Sequence, residues 1–157
     1  MSNGAMEPID SPTDWVAKHI RDYVESNGEK GHHWRGMDIL LLTTTGRRSG
    51  NLRRTALIYG KDGDRYVIVA SYGGRPDHPL WYLNLLADPQ VTIQVGADVM
   101  SAQASTAPAG ERERLWKMMA TIFPTYDQYQ GSTSREIPVV VLTPLEGAPL
   151  DPPDEQG

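Results

Sequence analysis

Arg47, Arg48, Arg53 and Arg54 fall within eight residues of a chain whose net charge is −5. They surround Thr45, Gly46, Ser49 and Gly50 in a segment flanked by two apolar runs, Ile39–Leu42 and Ala56–Tyr59. Guanidinium forks match carboxylate and phosphate oxygens in pairs, and glycines let a backbone approach its ligand closely. The chemistry is anion capture, with a polyanion as the natural tenant. The plainer reading is a solvated hairpin tip whose arginines pair with surface carboxylates, and four arginines in eight residues is dense for that. Two more groups can do chemistry. Ser71-Tyr72-Gly73-Gly74 precedes an apolar segment, where backbone amides at a helix start favour a phosphate, although a glycine pair alone is an ordinary strand-to-helix turn. Tyr126 and Tyr129 stand in a tyrosine-rich stretch, and with Ser71 they can donate hydrogen bonds or protons to a reducible oxygen. Trp81 reads either as a core residue, which its spacing favours, or as an aromatic wall against a planar ring.

The elements that must position these groups are mostly strands. Alternating or continuous apolar runs predict strands at 38–45, 53–60, 65–71, 91–95, 99–105 and 137–143. The pair Asp62-Gly63 marks a hairpin turn. Helices are expected from a cap at Ser11-Pro12-Thr13-Asp14 to Asn27-Gly28, over 78–86, and over 109–122. Residues 125–130 read as a loop. Six antiparallel strands with peripheral helices make the fold mainly β within the α+β class, a six-stranded split or closed β-barrel. The domain is expected at 11–145, after a flexible leader at 1–10 and before a disordered acidic, proline-rich tail at 146–157.

Composition removes whole classes of function. The chain has 157 residues and no cysteine, so disulfides, thiolate metal sites and cysteine nucleophiles are excluded. The acidic balance argues against a nucleic-acid partner. No apolar stretch reaches spanning length, so stable membrane insertion is not expected, and a cytoplasmic location, with peripheral membrane association left open, is. His32-His33 invites a metal, but neighbouring side chains on an extended segment point apart and no acid stands at ligand spacing, so no metal is expected. There is no P-loop, no paired carboxylates and no Ser-His-Asp order. An anion clamp with aromatic walls and no acid–base machinery leaves the difficult step to a bound cofactor.

Five segments carry a likeness to a known family. They are Leu41-Leu-Thr-Thr-Thr-Gly-Arg-Arg-Ser-Gly50, Val69-Ala-Ser-Tyr-Gly-Gly74, Pro79-Leu-Trp-Tyr-Leu-Asn-Leu85, Phe123-Pro-Thr-Tyr-Asp-Gln-Tyr129 and Arg135-Glu-Ile-Pro-Val-Val-Val141. In this order, across about residues 38–144, the chain resembles the deazaflavin-dependent nitroreductase family. The resemblance implies an FMN-binding-like split barrel that binds coenzyme F420, a planar deazaflavin with a phosphate and an oligoglutamate tail. It implies that Arg47, Arg48, Ser49 and Gly50 hold the phosphate and tail, assisted by Arg53 or Arg54. Ser71, Gly73, Gly74 and Trp81 would line the ring pocket, with Tyr126 and Tyr129 facing the substrate. The implied activity is hydride transfer from reduced F420 to a quinone, an activated nitro compound or a conjugated carbonyl. Two positions depart from the family pattern: Tyr72 stands where lysine is frequent, and Phe123 where some members carry tyrosine.

Three alternatives stay open at the level of sequence. An FMN-binding split barrel needs fewer arginines than are present. A non-catalytic F420-binding or storage protein would keep the clamp without turnover. A small nucleic-acid-binding barrel would need a basic surface. Split barrels commonly dimerise through a sheet face, so a homodimer is a further expectation.

Overall fold

The computed structural model of the chain describes residues 9–10 and 14–149. The helix cap expected at Ser11-Pro12-Thr13, and most of the expected leader and tail, lie outside these residues. The elements run β1 (Ile9–Asp10), α1 (Asp14–Glu25), β2 (His33–Trp34), β3 (Met37–Thr45), β4 (Leu52–Ile58), β5 (Gly60–Asp62) and β6 (Arg65–Val69). A short 3-10 turn (Tyr72–Gly74) leads to α2 (Leu80–Ala87), β7 (Gln90–Val95), β8 (Asp98–Thr106), α3 (Ala109–Ile122), α4 (Thr125–Gly131) and β9 (Val139–Pro149). Six of the strands are those expected. The other three are two or three residues long, too short for any alternation to show, and they raise the count from six to nine. Every pairing is antiparallel except β1 on β4.

The strand order is β1-β4-β3-β7-β8-β9-β6-β5, with β2 added beside β3. β4 and β5 belong to opposite ends of that order, yet only Tyr59 separates them in the chain. The sheet must therefore curl until its two ends approach, which makes it a split barrel. Strand twist supplies the curl, and a register shift between Met100 and Ala102 sharpens it in β8.

Period-two alternation explains why the central strands read as continuous apolar runs: both of their faces are covered. Leu40, Leu42, Ile68, Val140 and Leu142 fill the barrel interior. Their neighbours Val67, Val69, Val139 and Val141 pack outward under Leu115 and Met119 of α3 and Tyr126 of α4. On the other flank, Ile39 and Leu41 meet Ile20 and Tyr23 of α1. The Tyr23 hydroxyl donates to the Ile39 carbonyl at 2.9 Å and accepts from the Gly96 N–H at 2.7 Å, so one side chain ties the helix to β3 and to the turn after β7.

The tyrosine-rich segment is a helix, not the expected loop. Its own sequence has weak helix preference, and contacts to α3 decide the matter. The Trp116 indole donates to Asp127 at 2.7 Å, Arg112 donates to Gln130 at 3.1 Å, and Ser132 N–H closes the last turn on the Gln128 and Tyr129 carbonyls.

Candidate active site

One cavity of about 550 Å³ gathers most of the chemistry. One wall is β4, through Thr55, Ala56, Leu57 and Ile58. The second is Ser71, Tyr72 and Gly73 with the start of α2 at Pro79, Leu80 and Trp81. The third is Phe123, Tyr126 and Tyr129, and the fourth is Trp15, Val16 and His19 of α1 with Trp34. The lining is chiefly aromatic and aliphatic, which suits a planar ring.

Tyr126 brings a buried hydroxyl to the cavity wall. It is 5% exposed, and burial first, then Tyr129, pushes its phenol well above the usual range, so it stays protonated. Among the described residues its hydroxyl has no hydrogen-bond partner, so its donor is free for a molecule in the cavity. Trp81 is half-buried: it packs against the barrel interior and also lines the cavity. Gly74 does not line the cavity. A Cβ there would stand 2.3 Å from Ser132 Oγ and 2.9 Å from the Tyr129 carbonyl oxygen, so this glycine lets the turn touch α4.

The arginine loop occupies the β3–β4 hairpin, next to the cavity along β4. Thr45 pairs with Leu52, Gly46 N–H donates to the Asn51 carbonyl at 2.7 Å, and Gly50 N–H donates to the Gly46 carbonyl at 2.8 Å. Arg53 lies two residues before the cavity residue Thr55, about 7 Å along the strand. Thr45, Gly46, Arg47, Arg48, Ser49, Gly50, Arg53 and Arg54 are thus beside the cavity and not in its lining. Among the described residues, Arg47, Arg48 and Arg53 have no carboxylate within ion-pair distance. Among the described residues, then, the surface-pairing reading of the cluster finds no partner for these three. Three cations stand beside one cavity, and among the described residues the Arg48 and Ser49 N–H groups make no backbone bond, so the hairpin has donors of the kind that receive an anion.

The profile of the F420H(2)-dependent quinone reductase family matches residues 15–144. This chain belongs to that family. It is 43% identical over 142 residues to an F420H(2)-dependent quinone reductase of Mycobacterium tuberculosis, covering 82% of this chain and 95% of that one. A solved structure described as a domain-swapped dimer superposes with a TM-score of 0.65 at 39% identity, covering 84% of this chain and 99% of its own. An F420H2-dependent reductase, FDR-A, gives a TM-score of 0.62 at 41% identity over 66% of this chain and 92% of its own.

F420 is the cofactor the family indicates, and the residues present fit it. The unpaired arginines match a phosphate and a carboxylate-rich tail, and the adjoining aromatic cavity matches a planar ring. Next to Tyr72, which stands where lysine is frequent in the family resemblance, the structure has a cation in Arg75. Arg75 lies 4.8 Å over the Tyr72 ring and donates to its hydroxyl at 3.3 Å. Tyr72 itself holds φ +49°, a left-handed backbone that a bulky residue rarely adopts.

Four contributors escape a reading of the sequence. Trp15 and Trp34 stack with centroids 6.1 Å apart and planes at 18°, and His19 stands beside Trp34. These join segments whose meeting no local pattern encodes. Asn84 is the fourth. It is 8% exposed, accepts from the Arg47 N–H at 3.1 Å and donates to Thr44 at 3.3 Å, so α2 holds the arginine loop. Its signals were a polar residue inside the apolar run Leu80–Ala87 and a place in the Pro79–Leu85 segment that carries the resemblance, neither of which points to the arginine loop.

Proposed function

We propose that this chain reduces quinones with F420H2, and that activated nitro compounds and conjugated carbonyls are acceptors of the same kind. The observation that carries this reading is the buried, protonated and unpartnered Tyr126 hydroxyl in an aromatic cavity beside unpaired arginines. Arg47, Arg48, Ser49 and Gly50 would hold the phosphate and tail, with Arg53 and Arg54 next in line along β4. Ser71, Tyr72, Gly73 and Trp81 would hold the ring, while Gly74 fixes their turn.

When bound, reduced F420 supplies the hydride. The chain supplies position, dryness and a proton. Trp15, Trp34 and Phe123 exclude water from the acceptor. Tyr126 donates a proton to the quinone oxygen, which with the hydride completes a hydroquinone, and solvent reprotonates the phenolate. Tyr129, partly buried beside it, offers a second donor to the same acceptor. We further propose that the protein works in the cytoplasm, and that it is a homodimer, a state supported by the structural relative described as a domain-swapped dimer.

The test is Tyr126→Phe assayed with F420H2 and menadione. A fall in kcat of roughly 100-fold, the size of a lost general acid, with unchanged F420 affinity in a fluorescence titration, is the expected result. Unchanged kcat removes Tyr126 from the chemistry. Preference for FMN over F420 in a parallel titration removes the cofactor assignment.

A further inference from the structure

The loop between α1 and β3 carries a second cluster of chemically capable residues, remote from the arginine hairpin. Arg35 and Gly36 both have positive φ, +53° and +81°, the backbone of a two-residue hairpin turn. That turn sets the register of β2 on β3: Trp34 opposes Met37, and His33 opposes Asp38. His33 Nδ1 lies 2.7 Å from an Asp38 carboxylate oxygen. His32 sits at the bend just before β2, so its ring does not diverge from that of His33, and the two centroids are 4.5 Å apart. One ring nitrogen of each histidine and one carboxylate oxygen of Asp38 all lie within 4.8 Å of one another. Both grounds on which the sequence argued against a metal are therefore absent here: the rings converge, and the hairpin delivers the acid.

We propose that His32, His33 and Asp38 form a binding site for a single Zn²⁺ ion. Two imidazoles and one carboxylate are the ligands of a borderline d-block dication, whereas Ca²⁺ and Mg²⁺ require oxygen-rich shells. Tetrahedral zinc with donors near 2 Å needs them about 3.3 Å apart, so the His33–Asp38 pair has to open by only a few tenths of an ångström. His32 is already oriented. Its Nε2 lies 2.8 Å from the Tyr59 hydroxyl, and with Nδ1 as its metal ligand His32 would have the outer-shell arrangement that ligating histidines commonly show. The His33 side chain is 76% exposed and that of Asp38 47%, so the ion has an entry path and water completes its shell.

The location gives the ion a consequence. Trp34 follows His33 directly and forms part of the cavity wall, stacked on Trp15. Zinc would clamp the β2–β3 hairpin to Tyr59 and fix that wall. The site stands on this hairpin geometry alone and holds whether or not the quinone-reductase reading does.

The experiment uses full-length, tag-free protein stripped with chelator, titrated with ZnCl2 by calorimetry and followed by amide NMR shifts. One ion per chain at a Kd of about 10 μM or tighter, with shifts concentrated at residues 32–38, is the expected result. His33→Ala and Asp38→Asn, both at exposed side chains, should each weaken binding about tenfold or more while keeping the wild-type melting temperature. MgCl2 and CaCl2 should produce no such shifts. Weaker zinc binding in the wild type, or wild-type affinity in both variants, overturns the proposal.

Discussion

Arg135 Nη2 donates to the Ser71 carbonyl at 2.8 Å, so the turn that walls the cavity is held from behind by a residue outside the cavity. The same guanidinium reaches the Arg75 carbonyl at 2.9 Å, the Ala70 carbonyl at 3.4 Å and His78 Nδ1 at 3.2 Å. Arginine has only donors, so His78 accepts through Nδ1 and is neutral in this arrangement. Burial, then the Arg135 charge, lowers the His78 pKa.

Replacing Arg135 by alanine takes the donor from the Ala70 and Arg75 carbonyls, while the Ser71 carbonyl keeps its bond from the Gly74 N–H at 2.9 Å, and should destabilise the fold by about 2 kcal/mol, the cost of unsatisfied polar groups. Lysine should recover little of it, because a single ammonium cannot span these acceptors. Urea unfolding checks the stability. A raised KM for F420H2 with kcat largely retained would mark Arg135 as positioning Ser71 and Tyr72; unchanged KM would limit it to the fold.

Arg47 and Arg48 behave oppositely, because no carboxylate among the described residues is tied to them. The double variant Arg47→Ala, Arg48→Ala should leave stability within about 0.5 kcal/mol. It should weaken F420 binding at least tenfold, about 1.4 kcal/mol, and flatten its dependence on salt. Fluorescence titration at two ionic strengths reads both effects. Wild-type affinity in this variant would leave the arginine loop without its ligand.

The contrast between these two arginine sites shows what a sequence can reveal. The hairpin cluster is legible because four like side chains crowd one glycine-bounded turn, and a motif of that density is local. Arg135 is equally consequential and locally silent, since its acceptors lie at 70, 71, 75 and 78, far away in sequence and brought beside it by the pairing of β6 with β9. The long strands are legible because β3, β6 and β9, covered on both faces, each contain an unbroken apolar run, while β7 alternates. β1, β2 and β5 carry too few residues to show a period. α4 is invisible in its own composition, and Trp116 and Arg112 of α3 hold it. The cavity follows the same rule. Ser71, Tyr72, Gly73, Trp81, Tyr126 and Tyr129 meet there as their segments implied, while Trp15, His19 and Trp34 arrive from α1 and the β2 hairpin by tertiary packing alone.

Trp15 is 62% exposed although it lines the cavity, so its ring contributes little to the core. Trp15→Ala should shift the melting temperature only slightly and raise KM for a bulky quinone several-fold, with F420 affinity unchanged. Steady-state kinetics with menadione and with a longer-chain quinone separates the two substrates. Equal KM changes for F420H2 and quinone would place Trp15 on the cofactor instead.

Asp62 fixes how the fold responds to acid. It ends β5, and Arg114 of α3 grips both its oxygens at 2.9 and 3.2 Å, while Arg65 at the start of β6 approaches to 2.5 Å. The hydrogen bonds from Arg114, then Arg65, hold its carboxyl at about 2, below the ordinary 3.8. The unfolded chain therefore takes up this proton before the folded chain does. The stability that Asp62 contributes is complete above about pH 4 and is lost as pH falls toward 2. Asp62→Asn keeps the shape and removes the titration. Its melting temperature should lie below the wild type at pH 7, and the two curves should converge as pH drops from 4 to 2. Parallel curves over that window would mean that the two arginines exchange Asp62 for water at no net gain, and α3 would then be held to the β5–β6 hairpin by its apolar face alone.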